Sequence, residues 1–122
     1  MVGAMTAVVK RESLGRMAHF LLPMQKVATR RVGGALLRDY VHDFLLKEFA
    51  SYSAQDGITG WWRDPRTSIE HFDLHTLYKV SFVGKDRIPT LEAFLEDVAT
   101  EIDEICIYLE TGEDAWLIYK RD

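Results

Sequence analysis

Apolar and polar positions change period several times along this chain, and each change marks an element. Residues 17–24 read Met-Ala-His-Phe-Leu-Leu-Pro-Met, a short apolar run that predicts a first strand ended by Pro23. The polar and basic stretch 25–31 predicts a loop. From 32 to 49 the residues Leu37, Val41, Phe44, Leu45 and Phe49 recur at helical spacing, with Arg38, His42, Asp43 and Lys47 off that stripe. A helix is expected there, its first turn weakened by Gly33 and Gly34. After a turn region at 51–57, residues 58–62 predict a short strand, and Asp64-Pro65-Arg66-Thr67-Ser68 is a turn signal. Between 69 and 83 the period becomes two: Phe72, Leu74, Tyr78, Val80 and Phe82 alternate with His71, Asp73, His75, Lys79 and Ser81. A second helix is expected from Thr90 as N-cap, just after Pro89. Its stripe is Leu91, Phe94, Leu95, Val98 and Ile102, and its outer face is acidic, with Glu92, Glu96, Asp97, Glu101 and Asp103. Strands at 105–109 and 115–119, joined by Thr111-Gly112-Glu113-Asp114, predict a terminal hairpin.

Strand, helix, strand, strand, helix, strand is the order of an α+β, ferredoxin-like βαββαβ sandwich, here with an extra C-terminal strand. Such an antiparallel sheet carries its two helices on one face and leaves the other open to solvent or a partner. Several large aromatics remain once both helices are covered, so a homo-oligomer, a dimer or larger, is expected. With 122 residues the chain suits one domain, read as 17–122, with 1–16 as a peripheral N-terminal extension.

Charge and cysteine usage narrow the function classes. A formal net charge of -4 argues against broad nucleic-acid binding, which needs a basic face. The absence of a Lys/Arg-Gly-Phe type strand sets RNA recognition aside as well. Cys106 is the only cysteine, which precludes an intramolecular disulfide and a multi-cysteine metal site. Among Ile105, Ile107 and Leu109 it is expected to be a buried, inert thiol. No apolar run reaches the length of a membrane helix, and residues 1–10 are too short and irregular for a signal peptide. The expected location is the cytoplasm, without a membrane partner.

Gly57-Ile58-Thr59-Gly60-Trp61-Trp62-Arg63-Asp64-Pro65-Arg66 is the most unusual stretch. On a strand, Trp61 and Trp62 point to opposite faces. Arginine offers a planar donor fork for carboxylate or phosphate, and tryptophan offers a stacking face. The candidate ligand-binding residues are therefore Trp61, Trp62, Arg63, Asp64 and Arg66, with Glu70, His71 and His75 on the following strand, and the ligand is expected to be small and anionic or aromatic. The plainer reading is structural, with Arg63 paired to Asp64 or Glu70 and the tryptophans serving the core and a subunit interface. His71 and His75 would chelate one metal from a helix, but on a strand they stand about 13 Å apart. No metal or cofactor is expected, and no nucleophile is paired with a base, so no residue is assigned as catalytic. The acidic helix face reads as solvated, although Asp103 and Glu104 near its C-terminus oppose the helix dipole. Tyr108, Trp116 and Tyr119 are expected in the core or at a subunit interface.

Gly60-Trp61-Trp62-Arg63-Asp64, then Ile69-Glu70, the second helix and Ile107-Tyr108-Leu109-Glu110 together resemble small bacterial ferredoxin-like proteins of unknown function. That group is distantly similar in fold to PII-type signalling proteins. The resemblance spans roughly 17–119 and implies the fold and oligomerisation. It does not carry over nucleotide binding of the PII kind, because no glycine-rich phosphate loop is present. The reading that results is an oligomeric binding or regulatory module rather than an enzyme. The alternative is a small cofactor-free enzyme of the dimeric ferredoxin-like barrel type, a monooxygenase or isomerase. Such an enzyme would use His19, His71, His75 and Trp61 around a pocket between helices and sheet.

Overall fold

The structure, a computed structural model, describes residues 9–122. Half of the expected N-terminal extension thus lies outside the described residues, and 9–15 are exposed and irregular. In chain order the elements are β1 (Arg16–Pro23), α1 (Met24–Thr29), β2 (Arg31–Val32), β3 (Ala35–Leu36), α2 (Leu37–Phe49), β4 (Ser53–Arg63), β5 (Glu70–Phe82), α3 (Ile88–Glu101), β6 (Cys106–Thr111) and β7 (Asp114–Tyr119). A five-stranded antiparallel sheet has the order β4-β5-β1-β6-β7, so β1 is central and β7 is the extra edge strand. This is the ferredoxin-like α+β arrangement.

Period-two sequence decides which side of each strand is dry. Ala18, Phe20 and Leu22 of β1, Tyr78, Val80 and Phe82 of β5, and Ile107 and Leu109 of β6 all turn to the helix side and are buried. Residues Leu37, Val41, Leu45 and Phe49 of α2 meet them, as do Leu91, Phe94, Leu95 and Val98 of α3. Aromatic rings lock the layers: Phe44 stacks on Phe94 at 3.7 Å, and Phe20 on Tyr78 at 5.1 Å.

Burial of Tyr78 pushes its hydroxyl up to about 12, with Tyr52 and Asp56 adding to the rise and Arg38 opposing it. The neutral phenol is the form the fold favours. Its stabilising contribution is complete below the unfolded value near 10 and is lost as pH rises toward 12. Urea denaturation at stepwise higher pH is expected to show up to about 2 kcal/mol lost over that window. Tyr78→Phe should lack the loss. An identical alkaline profile in that variant would contradict the assignment.

Several local expectations are corrected by the fold, among them the turn expected at 51–57, most of which belongs to β4. Residues 24–29, the last residue of the expected strand and most of the expected loop, form the short helix α1. It has one buried residue, Val27, and so no sequence stripe to betray it. Its support is tertiary, from Lys26 Nζ donating to the Ile102 carbonyl at 2.7 Å and pairing with Glu104 at 2.6 Å. The first long helix begins at Leu37 rather than 32, because Gly33 and Gly34 both take positive φ. They make the two-residue turn of the β2–β3 hairpin, a conformation that suits glycine. The second long helix begins at Ile88, with Pro89 in its first turn, where a missing N–H costs nothing. Thr90 is therefore inside the helix and caps nothing. Arg87 instead ties the start of α3 to Glu48 at the end of α2, at 2.5 Å.

The acidic C-terminus of α3 also finds its physical account. Asp103 takes the left-handed conformation after the helix, and the Glu104 N–H closes on the Ala99 carbonyl at 2.9 Å. Lys120 pairs with Asp103 at 2.5 Å and Lys26 with Glu104, so two cations offset the unfavourable charges. Lys120 holds the Asp103 carboxyl below its ordinary range, through a hydrogen bond first and charge second.

β4 is longer than its apolar core suggests. Ser53–Gln55 pair with Leu77–Lys79, and a bulge between Gln55 and Ile58 shifts the register by one. At the bulge the buried Thr76 hydroxyl donates to Asp56 at 2.7 Å. Pairing of β1 stops at Pro23 and His75, so 70–74 of β5 pair with β4 alone and extend past β1 as a two-stranded ribbon.

Candidate groove on the open sheet face

The ribbon splits the tryptophan pair. Cross-strand register sets Trp61 opposite Phe72 and Trp62 opposite His71. Trp61 lies against Phe72, ring centroids 4.5 Å apart, on the helix side of the sheet but beyond the helices, and is 70% exposed. Trp62 stacks nearly parallel on His71 at 4.6 Å, on the opposite, open face. His71, Asp73 and His75 share that face by the strand alternation, with Gly60 across from Asp73.

Together these side chains form one wall of a groove of about 440 Å³. Leu21 of the central strand, Glu104 and Ile105 before β6, Cys106 and Tyr108 of β6 and Leu117 of β7 also line it. All five strands contribute, so the twisted sheet wraps around the space. The turn after β4 comes near enough to the terminal hairpin that Tyr119 bears on Arg66, and Asp64 on Cys106. A volume of this size suits a small organic ligand.

The chemistry of the lining is aromatic and acidic. None of the lining residues is lysine or arginine. Asp73 and Glu104 supply carboxylates, and Glu104 is held by Lys26. Burial, then Glu104 and Asp64, push the Cys106 thiol up, so it is not activated as a nucleophile. It lines the groove half-buried rather than lying in the core as expected. Tyr108 donates to Glu110 at 2.9 Å, and that hydrogen bond leads the causes that raise its hydroxyl.

Of the residues singled out from the sequence, Trp62, His71 and His75 meet in this groove, and Trp61 borders it while its ring packs on Phe72. Arg63, Asp64, Arg66 and Glu70 do not line it. Arg63 pairs with Glu70 at 2.5 Å along the ribbon. Asp64 is 5% exposed and accepts from the Arg66 backbone N–H at 2.8 Å and from its guanidinium at 3.3 Å. Those donors, the backbone one foremost, hold the Asp64 carboxyl low, so this pair builds the turn. His19 shares the open face but lies 3.9 Å from Glu110, apart from the groove lining. The layer between helices and sheet, where the enzyme alternative expected its pocket, is filled by core side chains.

Glu104, Tyr108 and Leu117 carry no site signal in the sequence, and Gly60 and Asp73 carry only their places beside Trp61 and between His71 and His75. Alternation groups 71 with 73 and 75, and 106 with 108, but only the strand order puts the two groups opposite each other. Among the described residues no three His, Cys, Asp or Glu side chains gather closely enough to hold a metal ion. No helix among them is long and apolar enough to cross a membrane.

No family model matches the sequence, and no curated protein does either. Two solved structures are similar in fold. Phage SAM lyase in complex with S-methyl-5′-thioadenosine has a TM-score of 0.58 at 13% identity, over 93% of this chain and 96% of that one. Phage SAM lyase in its apo state has a TM-score of 0.57 at 13% identity, over 95% and 98%. The likeness runs nearly end to end in both chains, and at this identity it is one of fold: the chain shares the architecture of phage SAM lyase.

Proposed function

We propose that this chain is a small-molecule-binding protein whose ligand lies in the open-face groove and is a thioether or sulfonium nucleoside of the S-methyl-5′-thioadenosine kind. One observation carries the reading: a stacked Trp62–His71 wall shares a groove with the carboxylates of Asp73 and Glu104. A purine ring gains from an aromatic stacking face. Ribose hydroxyls donate to carboxylates, and a sulfonium is attracted to them. An anionic ligand, the other sequence expectation, would meet like charge there, because Arg63 and Arg66 are engaged elsewhere. The shared fold with a lyase solved in complex with that nucleoside supports the ligand class and gives a second reading, an enzyme acting on S-adenosylmethionine.

Titration calorimetry with S-methyl-5′-thioadenosine and with S-adenosylmethionine tests binding, and chromatography after incubation with S-adenosylmethionine tests turnover. Binding without new nucleoside product supports the module, and appearance of S-methyl-5′-thioadenosine supports the enzyme. Silence in both assays overturns the ligand class. The same proposal includes a homo-oligomer, a distant PII-like relationship and a cytoplasmic setting. The exposed Trp61, Phe72, Trp116 and Tyr119 supply the apolar area that an oligomer would cover.

A further inference from the structure

We propose that His75 is a hydrogen-bond donor locked in one tautomer, that Gly60 seats it, and that it makes the groove selective for ligands presenting an acceptor to this wall. The selectivity rests on the groove being the ligand site, whereas the tautomer does not. His75 stands opposite Ile58 in the ladder, and its imidazole leans across β4 onto Gly60. A Cβ at position 60 would come within 2.6 Å of His75 Cε1 and 2.7 Å of Nδ1, which no packed side chain tolerates. Glycine is therefore required here for close approach of a ring, and not for an unusual φ.

That seat seals one edge of the imidazole. His75 Nδ1 is buried and has no hydrogen-bond partner, the one such side-chain atom among the described residues. A neutral imidazole carries its proton on either nitrogen, and the surroundings decide which. A buried N–H without an acceptor is the costlier choice, since orphaned donors are rarer in folded proteins than under-satisfied acceptors. The proton therefore sits on Nε2, at the edge of the ring away from Gly60, where His75 lines the groove. The result is a fixed N–H on a wall that otherwise offers carboxylate and ring faces. A ring nitrogen or carbonyl placed against it is accepted, and a ligand presenting an N–H or O–H donor there is rejected.

Long-range proton–nitrogen correlation spectra of the ¹⁵N-labelled full chain, without ligand, read the tautomer directly. The expected pattern for His75 is a pyridine-like Nδ1 and a pyrrole-like Nε2. A protonated Nδ1, or rapid averaging of the two, overturns the proposal. Gly60→Ala, checked for folding by circular dichroism, should shift His75 toward an averaged spectrum, and an unchanged His75 spectrum in a folded variant would count against the seat. For selection, S-methyl-5′-thioadenosine is the probe. His75→Gln, which keeps an N–H donor near the same place, should hold affinity within about threefold, and His75→Leu should lose about tenfold. Equal losses in both variants, or none, refute the donor role. Failure of the probe to bind the wild type removes the proposed ligand class, and the spectrum of the free protein then decides the tautomer on its own.

Discussion

Trp62→Ala is expected to weaken binding of S-methyl-5′-thioadenosine by about ten- to a hundredfold, while Trp61→Ala leaves it within about twofold. The two residues are adjacent in sequence and chemically identical, so the contrast isolates position. Trp62 faces the groove and is prearranged there by its stack on His71. Removing such a stacking face typically costs about 1–3 kcal/mol per base. Trp61 has its ring on the other side of the ribbon, against Phe72. Its loss should register instead in molecular mass by light scattering, where a shift toward smaller species would support the proposed oligomer. Calorimetry on the two variants side by side gives the answer. Equal losses would mean that the ribbon as a whole is disturbed, and no loss in Trp62→Ala would remove the aromatic wall from the site.

Phe20→Ala is expected to destabilise the protein by about 3–5 kcal/mol, a large share of the 5–15 kcal/mol typical of a domain. Phe20 is fully buried on the central strand, stacked on Tyr78 and opposite Leu109 in the ladder with β6. The neighbours on both sides belong to paired strands that cannot move inward without breaking the sheet, so the cavity stays open. Urea denaturation followed by tryptophan fluorescence measures the loss as a lower midpoint at unchanged slope. Met17→Ala on the same strand is the control, because its side chain points to the open face and is mostly exposed. A cost below about 1 kcal/mol for Phe20→Ala would mean that the core collapses around the gap, contrary to the packing described.

Much of this architecture was legible in the sequence. The alternation from 76 to 82 and the stripes at 37, 41, 45, 49 and at 91, 94, 95, 98 mark buried faces, because period encodes face, whereas Phe72 and Leu74 keep the alternation but are exposed on the ribbon beyond the helices. The opposition of Trp61 and Trp62 followed from the same rule. Short elements were less legible. Helix α1 has one buried residue and is made by Lys26 reaching the end of α3, a contact that no local pattern announces. The polar run before Ile58 reads as a turn and becomes strand because β5 is long enough to pair with it.

The sequence by itself determined the order of the long elements and which side chains their core-covered parts turn toward the helices, since both follow from backbone geometry over a few neighbouring residues. Only the tertiary structure decided which side chains the open face brings together. The groove joins Gly60 and Trp62, His71, Asp73 and His75, Cys106 and Tyr108, and Leu117, and they meet because β1 pairs with both β5 and β6. Tertiary structure likewise turned the arginines toward their own aspartate and glutamate and laid His75 over Gly60. Strand order and coiling arise from pairing between distant segments, whose free energy depends on the whole folded sheet and not on any local stretch of chain.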